Sequence, residues 1–212
     1  MAALTLVLGL LSGTGSAGGH RVHGPQVLFF GDSLIAGNGA VPRRPVEVRT
    51  VADRMGWSPW VDAMGGTGYT TGGRHGRRYE ERLLHDHFLS RSYALVVLEG
   101  GTNDAHFGRL SQLRMRALRT LDLVGAKEPQ TRIVMVGAFA PAGVDLTRYA
   151  EADVILAGVA HDRGLQYVSQ LPFSSVTNRG FLSRDHYHPS DLGYEQMGRA
   201  LAAAIRAWVP AS

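Results

Sequence analysis

The sequence contains no cysteine. That excludes disulfides, thiolate metal sites, a cysteine nucleophile and a lipidated N-terminal cysteine. At 212 residues the chain can bury a full core without cross-links, in one α/β domain. Long runs of one charge are also absent. The net charge of +4 is dispersed, with small clusters at Arg43-Arg44, Arg77-Arg78 and Arg114/Arg116/Arg119. Dispersed charge of this kind reads as solvated surface, and no nucleic-acid partner is expected. The glycine-rich stretch 65–73 holds neither Gly-Lys-Ser/Thr nor Gly-x-Gly-x-x-Gly, so it is no nucleotide-phosphate loop. The apolar stretch 2–11 is too short to span a bilayer.

What is present is an ordinary globular balance, 44% hydrophobic and 19% charged. The stretch 2–11 has the length of a signal-peptide core. The small residues Gly15-Ser16-Ala17 follow it, although no Lys or Arg precedes it. Residues 1–22 are therefore expected to be a signal peptide and short leader, and 23–212 the functional domain. The protein is then secreted or held in the cell envelope, with no stable membrane insertion once the leader is removed.

Along the remainder, short continuous apolar runs at 26–30, 60–64, 94–98, 133–136 and 165–168 predict buried parallel strands. Helical spacing predicts helices over 46–55, 79–89, 146–160 and 190–208. A further long helix carries Leu110, Leu113, Ala117 and Leu121 on one face and is closed by Pro129. Strands alternating with helices imply one parallel, roughly five-stranded sheet covered on both faces. In such folds ligands gather at the carboxyl ends of the strands.

The chemically capable residues fall at those ends. The first strand delivers Gly31-Asp32-Ser33-Leu34, the second Gly65-Gly66, the third Gly101-Thr102-Asn103-Asp104, and the last loop Asp185-His186-Tyr187-His188-Pro189. A serine needs a base to become a nucleophile, and that base needs a carboxylate to orient it. Ser33, His188 and Asp185 can fill these roles. The N–H groups of Ser33 and Gly66 and the amide of Asn103 can face an oxyanion. Each residue also has a plainer reading: Ser33, Asn103 and Asp104 as helix caps, Asp185 as a turn brace. Asp32 and Asp104 are expected to hold their loops, and Glu99 to be buried or paired at its strand end. The pairs His85/His87 and His186/His188 lack the further ligands of a metal site.

These four blocks, in this order from about Val27 to the end of the chain, resemble those of the SGNH (GDSL-like) hydrolases. The resemblance implies an α/β fold of flavodoxin-like type, a three-layer α/β/α sandwich. It also implies ester hydrolysis without metal or cofactor, acting on small-molecule or glycan esters. Carried over, Ser33 is the nucleophile, Asp185 and His188 are its partners, and Gly66 and Asn103 complete the oxyanion hole. Family members often place an Asn shortly before the glycine, where this chain has Asp62, so Gly65 competes with Gly66. No Gly-x-Ser-x-Gly elbow is present, because Ile35 stands where its second glycine would be. An acyltransferase using the same residues and a glycan-binding module without chemistry are the rival functions. Loops 139–147 and 171–184 are expected to line the cleft.

Overall fold

The computed structural model describes residues 24–85, 92–174 and 179–208. The expected leader, residues 1–22, lies outside the described residues. Five strands form one sheet: β1 (Gln26–Gly31), β2 (Ser58–Ala63), β3 (Leu95–Glu99), β4 (Arg132–Val136) and β5 (Gln166–Val168). They lie in the order β2-β1-β3-β4-β5, and each neighbouring pair is parallel. Among the described residues, six α-helices connect or follow them: α1 (Val46–Met55), α2 (Tyr79–His85), α3 (Thr102–Phe107), α4 (Leu110–Lys127), α5 (Leu146–Asp162) and α6 (Asp191–Trp208).

The continuous apolar strands are explained by the two cores they serve. Leu28 and Phe30 of β1, Val96 and Leu98 of β3, and Met135 of β4 face α2, α4 and α5, meeting Leu83, Leu113, Leu121 and Leu156. Val27 and Phe29, Val97, and Val134 face the other way, onto Val48 and Val51 of α1 and Leu201 and Ile205 of α6. Side chains alternate across a strand, so a strand buried on both faces is apolar at every position. The result is the expected three-layer α/β/α sandwich around a five-stranded parallel sheet.

Several boundaries differ from the sequence reading, and two of them have a physical cause. β2 begins at Ser58 and includes Pro59. It is an edge strand with Trp60 and Val61 exposed, and an edge tolerates a proline that a central ladder would not. The segment after β3 is also two helices instead of one long one. Gly108 separates them in extended conformation, and a Cβ there would lie 2.2 Å from Thr70 Oγ1 and 2.7 Å from the Asp104 carbonyl oxygen. Residues 86–89 of the second expected helix lie outside the described residues; its described part, α2, ends at His85.

This topology positions the site. β1 is flanked by β2 on one side and β3 on the other, so the chain leaves their ends in opposite directions and a crevice opens there. The segments that leave β1 and β3 carry Ser33 and Asn103.

Candidate active site

Ser33 sits in a run of turns directly after β1. Asn38 N–H donates to the Ser33 carbonyl at 2.9 Å, and Ala36 N–H to that of Asp32 at 3.1 Å. No helix begins there, so Ser33 does not act as a helix cap. Its hydroxyl lies 3.0 Å from His188 Nε2, and His188 Nδ1 lies 2.7 Å from Asp185 Oδ2. The structure thus brings Ser33, His188 and Asp185 into one relay.

The loop bearing the histidine is a tight turn built on Asp185. Its Oδ1 accepts the N–H groups of Tyr187 at 2.8 Å and His188 at 2.9 Å, and the Ser183 hydroxyl at 2.6 Å. Ser183 N–H closes the turn on the His188 carbonyl at 2.9 Å. Burial works to raise the Asp185 carboxyl, but the Ser183 hydroxyl and the His188 and Tyr187 donors outweigh it and hold it well below the usual carboxylate range. Asp185 is therefore a carboxylate at any working pH, the state that orients an imidazole. His186 adopts φ 55° at the tip of the turn and is exposed. It lines a separate cavity of about 660 Å³ with Leu182, Ser183 and Arg184.

The cavity above Ser33 measures about 530 Å³. Both Gly65 and Gly66 line it, as do Asn103 and His188. A Cβ on Gly65 would come within 3.6 Å of the Ser33 side chain, whereas Gly66 has φ 77°. Ser33, Gly65 and Gly66 donate no backbone N–H to any described group. Asn103 lies inside the first turn of α3, whose N-cap is Gly101, and so is not a cap. Its amide nitrogen donates to Asp32 Oδ2 at 2.7 Å and to the Thr67 carbonyl at 3.0 Å, which occupies both of its N–H bonds.

The other walls are not those expected. Thr71, Gly73, Arg74, His75, Phe107 and Tyr187 line the cleft, whereas the 139–147 and 171–184 loops contribute to the cavity beside His186. Asp104 explains why: it accepts Tyr69 N–H at 3.1 Å and Thr70 N–H at 2.6 Å, drawing the glycine-rich loop over the carboxyl end of the sheet. Asp32 likewise accepts Leu34 N–H at 2.8 Å. Both aspartates hold their loops, as the sequence led one to expect.

Arg82 has no counterpart in the sequence reading. It lies on α2 between Tyr79 and Leu83, fully buried, with its guanidinium 4.2 Å from the centre of the Phe30 ring. Nη1 donates to the Gly31 carbonyl at 2.8 Å and to Thr67 Oγ1 at 2.9 Å, while Nη2 pairs with Asp62. One side chain therefore ties together the ends of β1 and β2 and the glycine loop. Its signal was available: an arginine on the apolar face of a short helix needs buried partners.

Buried carboxyls underlie the site. Asp32 is pushed up to about 7, by burial first and then by the nearby charge of Asp104; Leu34, Arg82 and Asn103 draw it partly back. Glu99 is buried as expected and lies well above the carboxylate range, through burial and the charges of Asp32 and Glu47. Burial pushes Glu47 on α1 up to about 8, Gln170 offsets part of this, and the Asp32 charge adds to it. The folded state thus favours the neutral acid, while the unfolded chain ionises near 4.5. Stability from this group is full below pH ~4.5 and is lost as pH rises through about 8, each pKa unit being worth about 1.4 kcal/mol. Glu47→Gln removes the titration and keeps an acceptor for Gln170 Nε2, which lies 2.8 Å from Glu47 Oε1. Melting curves should show the variant gaining on the wild type as pH is raised from 5 to 9. Parallel curves would place the ionisation elsewhere.

Among the described residues no group of three or more His, Asp or Glu side chains is placed to hold a metal ion. His186 and His188 line different cavities, and His87 of the other histidine pair lies outside the described residues.

A five-stranded parallel sandwich with a serine–histidine–carboxylate relay at its switch point is the architecture of the serine ester hydrolases of SGNH type, and that is the class of this protein. The chain belongs to the GDSL-like lipase/acylhydrolase family, whose sequence pattern it matches over residues 29–196. No curated protein matches the sequence. Among solved structures, a family two carbohydrate esterase from Clostridium thermocellum, in complex with cellohexaose, is similar at a TM-score of 0.71 and 19% identity. The match covers 87% of this chain and 64% of that one. An acetyl xylan esterase from the rumen bacterium Butyrivibrio proteoclasticus gives 0.63 and 15%, covering 88% of this chain and 65% of that one. A lipase from a goat rumen metagenome gives 0.62 and 19%, with coverages of 85% and 97%. The chain spans about two thirds of the length of those two carbohydrate esterases, and at these identities the likeness is one of fold.

Proposed function

We propose that the protein hydrolyses short-chain acyl esters of glycans or small polar alcohols, with Ser33 as nucleophile, His188 as base and Asp185 as the group that orients it. The observation that carries this reading is the continuous relay from Asp185 Oδ2 through His188 to Ser33 Oγ, with spans of 2.7 and 3.0 Å, at the floor of an open cavity. Asp185 accepts the Nδ1 proton, which leaves Nε2 as the acceptor facing Ser33. Ser33 Oγ attacks the ester carbonyl as its proton passes to Nε2. The intermediate then collapses, and the leaving alkoxide takes that proton from His188. Water attacks the acyl-enzyme with His188 again as base, releasing the acid and restoring Ser33.

The oxyanion in this scheme is held by the uncommitted N–H groups of Ser33 and Gly66. Asn103 joins them by turning one N–H from the Thr67 carbonyl to the substrate, while its bond to Asp32 keeps the amide in place. The apolar stretch 2–11 supports export, and the proposed site of action is extracytoplasmic.

Support for a polar alcohol comes from the lining. Asn38, Thr71 and His75 line the cavity with Ser33, and Phe107, 67% exposed, offers a ring on which a sugar face can stack. The test is a series of 4-nitrophenyl esters from acetyl through butyryl to octanoyl, together with acetylated oligosaccharides. We expect the highest kcat/KM at acetyl and release of free acetate from the oligosaccharides. A maximum at octanoyl would overturn the substrate class. Absence of turnover on all of them would overturn the enzymatic reading, and acetate appearing only on a second sugar would make the protein an acyltransferase.

A further inference from the structure

We infer that Arg74 makes this site selective for esters whose alcohol carries an anionic group, an O-acylated acidic sugar being the substrate class that fits; this rests on the esterase reading of Ser33. Arg74 lines the same cavity as Ser33, is exposed, and makes no hydrogen bond or ion pair with any described residue. Arg44, Arg78, Arg114, Arg116 and Arg163 are paired, with Asp191, Glu81, Asp162, Glu80 and Asp122; Arg43, Arg49, Arg119 and Arg132, like Arg74, have no ion pair among the described residues, but none of them lines the cavity. None of the residues lining the cavity is an Asp or Glu, so no carboxylate of the wall competes with a ligand for the Arg74 guanidinium.

Arg74 also stands on a built platform. It is the middle residue of the 3₁₀ turn Gly73–His75, which is closed by Arg77 N–H on the Gly72 carbonyl at 3.1 Å. Gly73 packs directly on the glycines beside Ser33. A Cβ on Gly66 would sit 3.4 Å from Gly73 Cα, and one on Gly73 would sit 3.0 Å from the Gly65 carbonyl oxygen. The loop is fastened on its far side by Gly68 N–H to the Thr71 carbonyl at 2.8 Å and by the Asp104 bonds to residues 69 and 70. A guanidinium on a braced turn, next to the proposed oxyanion site, matches a carboxylate or sulfate with a planar pair of donors. Phe107 in the same cavity can take the sugar ring itself.

The test compares two methyl glycosides that differ only at one carbon, O-acetylated methyl galacturonate as its free carboxylate and O-acetylated methyl galactoside. The wild type should prefer the uronate by about tenfold in kcat/KM, the factor for one charge-assisted hydrogen bond. Arg74→Gln should remove that preference and leave turnover of the galactoside and of 4-nitrophenyl acetate unchanged. Arg74→Lys should retain part of it, and Arg74→Glu should reverse it. Equal rates of the wild type on both glycosides, or an equal loss on both in Arg74→Gln, would overturn the inference. Failure of the esterase reading is seen separately, as absence of 4-nitrophenyl acetate turnover in the wild type or its persistence in Ser33→Ala.

Discussion

Ser33→Ala is expected to lower ester hydrolysis by about 10⁴-fold or more while leaving the fold intact. The size of the loss follows from the hydroxyl's position. Ser33 Oγ has His188 Nε2 at 3.0 Å, and in the proposed mechanism it is the oxygen that forms the acyl-enzyme. The mildness of the structural effect follows from the same geometry. The turns around residue 33 are held by backbone bonds, Asn38 N–H to the Ser33 carbonyl and Gly37 N–H to that of Leu34, and alanine keeps them all. Far-UV circular dichroism should therefore be unchanged. Peptide mapping after treatment with a fluorophosphonate should find the adduct on Ser33 in the wild type and none in the variant. Retention of more than about 1% of wild-type turnover would remove Ser33 from the mechanism.

The second large effect separates two neighbouring histidines. His188→Ala should be nearly inactive, with a loss similar to that of Ser33→Ala, because the two residues act as one unit. His186→Ala should keep activity within about tenfold. The turn around Asp185 is what distinguishes them. Asp185 Oδ1 accepts the N–H of His188 itself while Oδ2 meets its Nδ1, so one carboxylate fixes both backbone and ring. His186, at φ 55°, is turned out to the neighbouring cavity, where Ser33 is not part of the wall. Steady-state rates on 4-nitrophenyl acetate decide the point. The reverse order of damage would require a different register for this loop and a different partner for Asp185.

The main features of the fold were legible because local patterns carry them. A strand buried on both faces is apolar throughout, as at Val27 to Phe30, and α4 shows its inner face through Leu110, Leu113, Ala117 and Leu121. The ends of β1 and β3 were readable from the glycines that follow them, and with them the positions of Ser33 and Asn103. The α3–α4 break was not, because the nearest atom a Cβ on Gly108 would meet, at 2.2 Å, belongs to Thr70 in a distant segment.

By itself, then, the sequence determined a parallel α/β sandwich and the set of residues able to do acyl-transfer chemistry, since both depend on periodicity and on residue type. Tertiary structure alone decided which of those residues meet. Ser33 and His188 are 155 positions apart, Asn103 and Asp32 71 apart, and Arg82 lies 51 positions from the Gly31 carbonyl it holds. It also decided that the glycine-rich loop with Arg74 forms the wall of the cleft, in place of the 139–147 and 171–184 loops. The physical reason is the range of the forces involved. Helix and strand periodicity is imposed by neighbours along the chain, whereas a buried arginine or a hydroxyl paired with an imidazole is satisfied by groups that only the folded sheet brings within 3 Å.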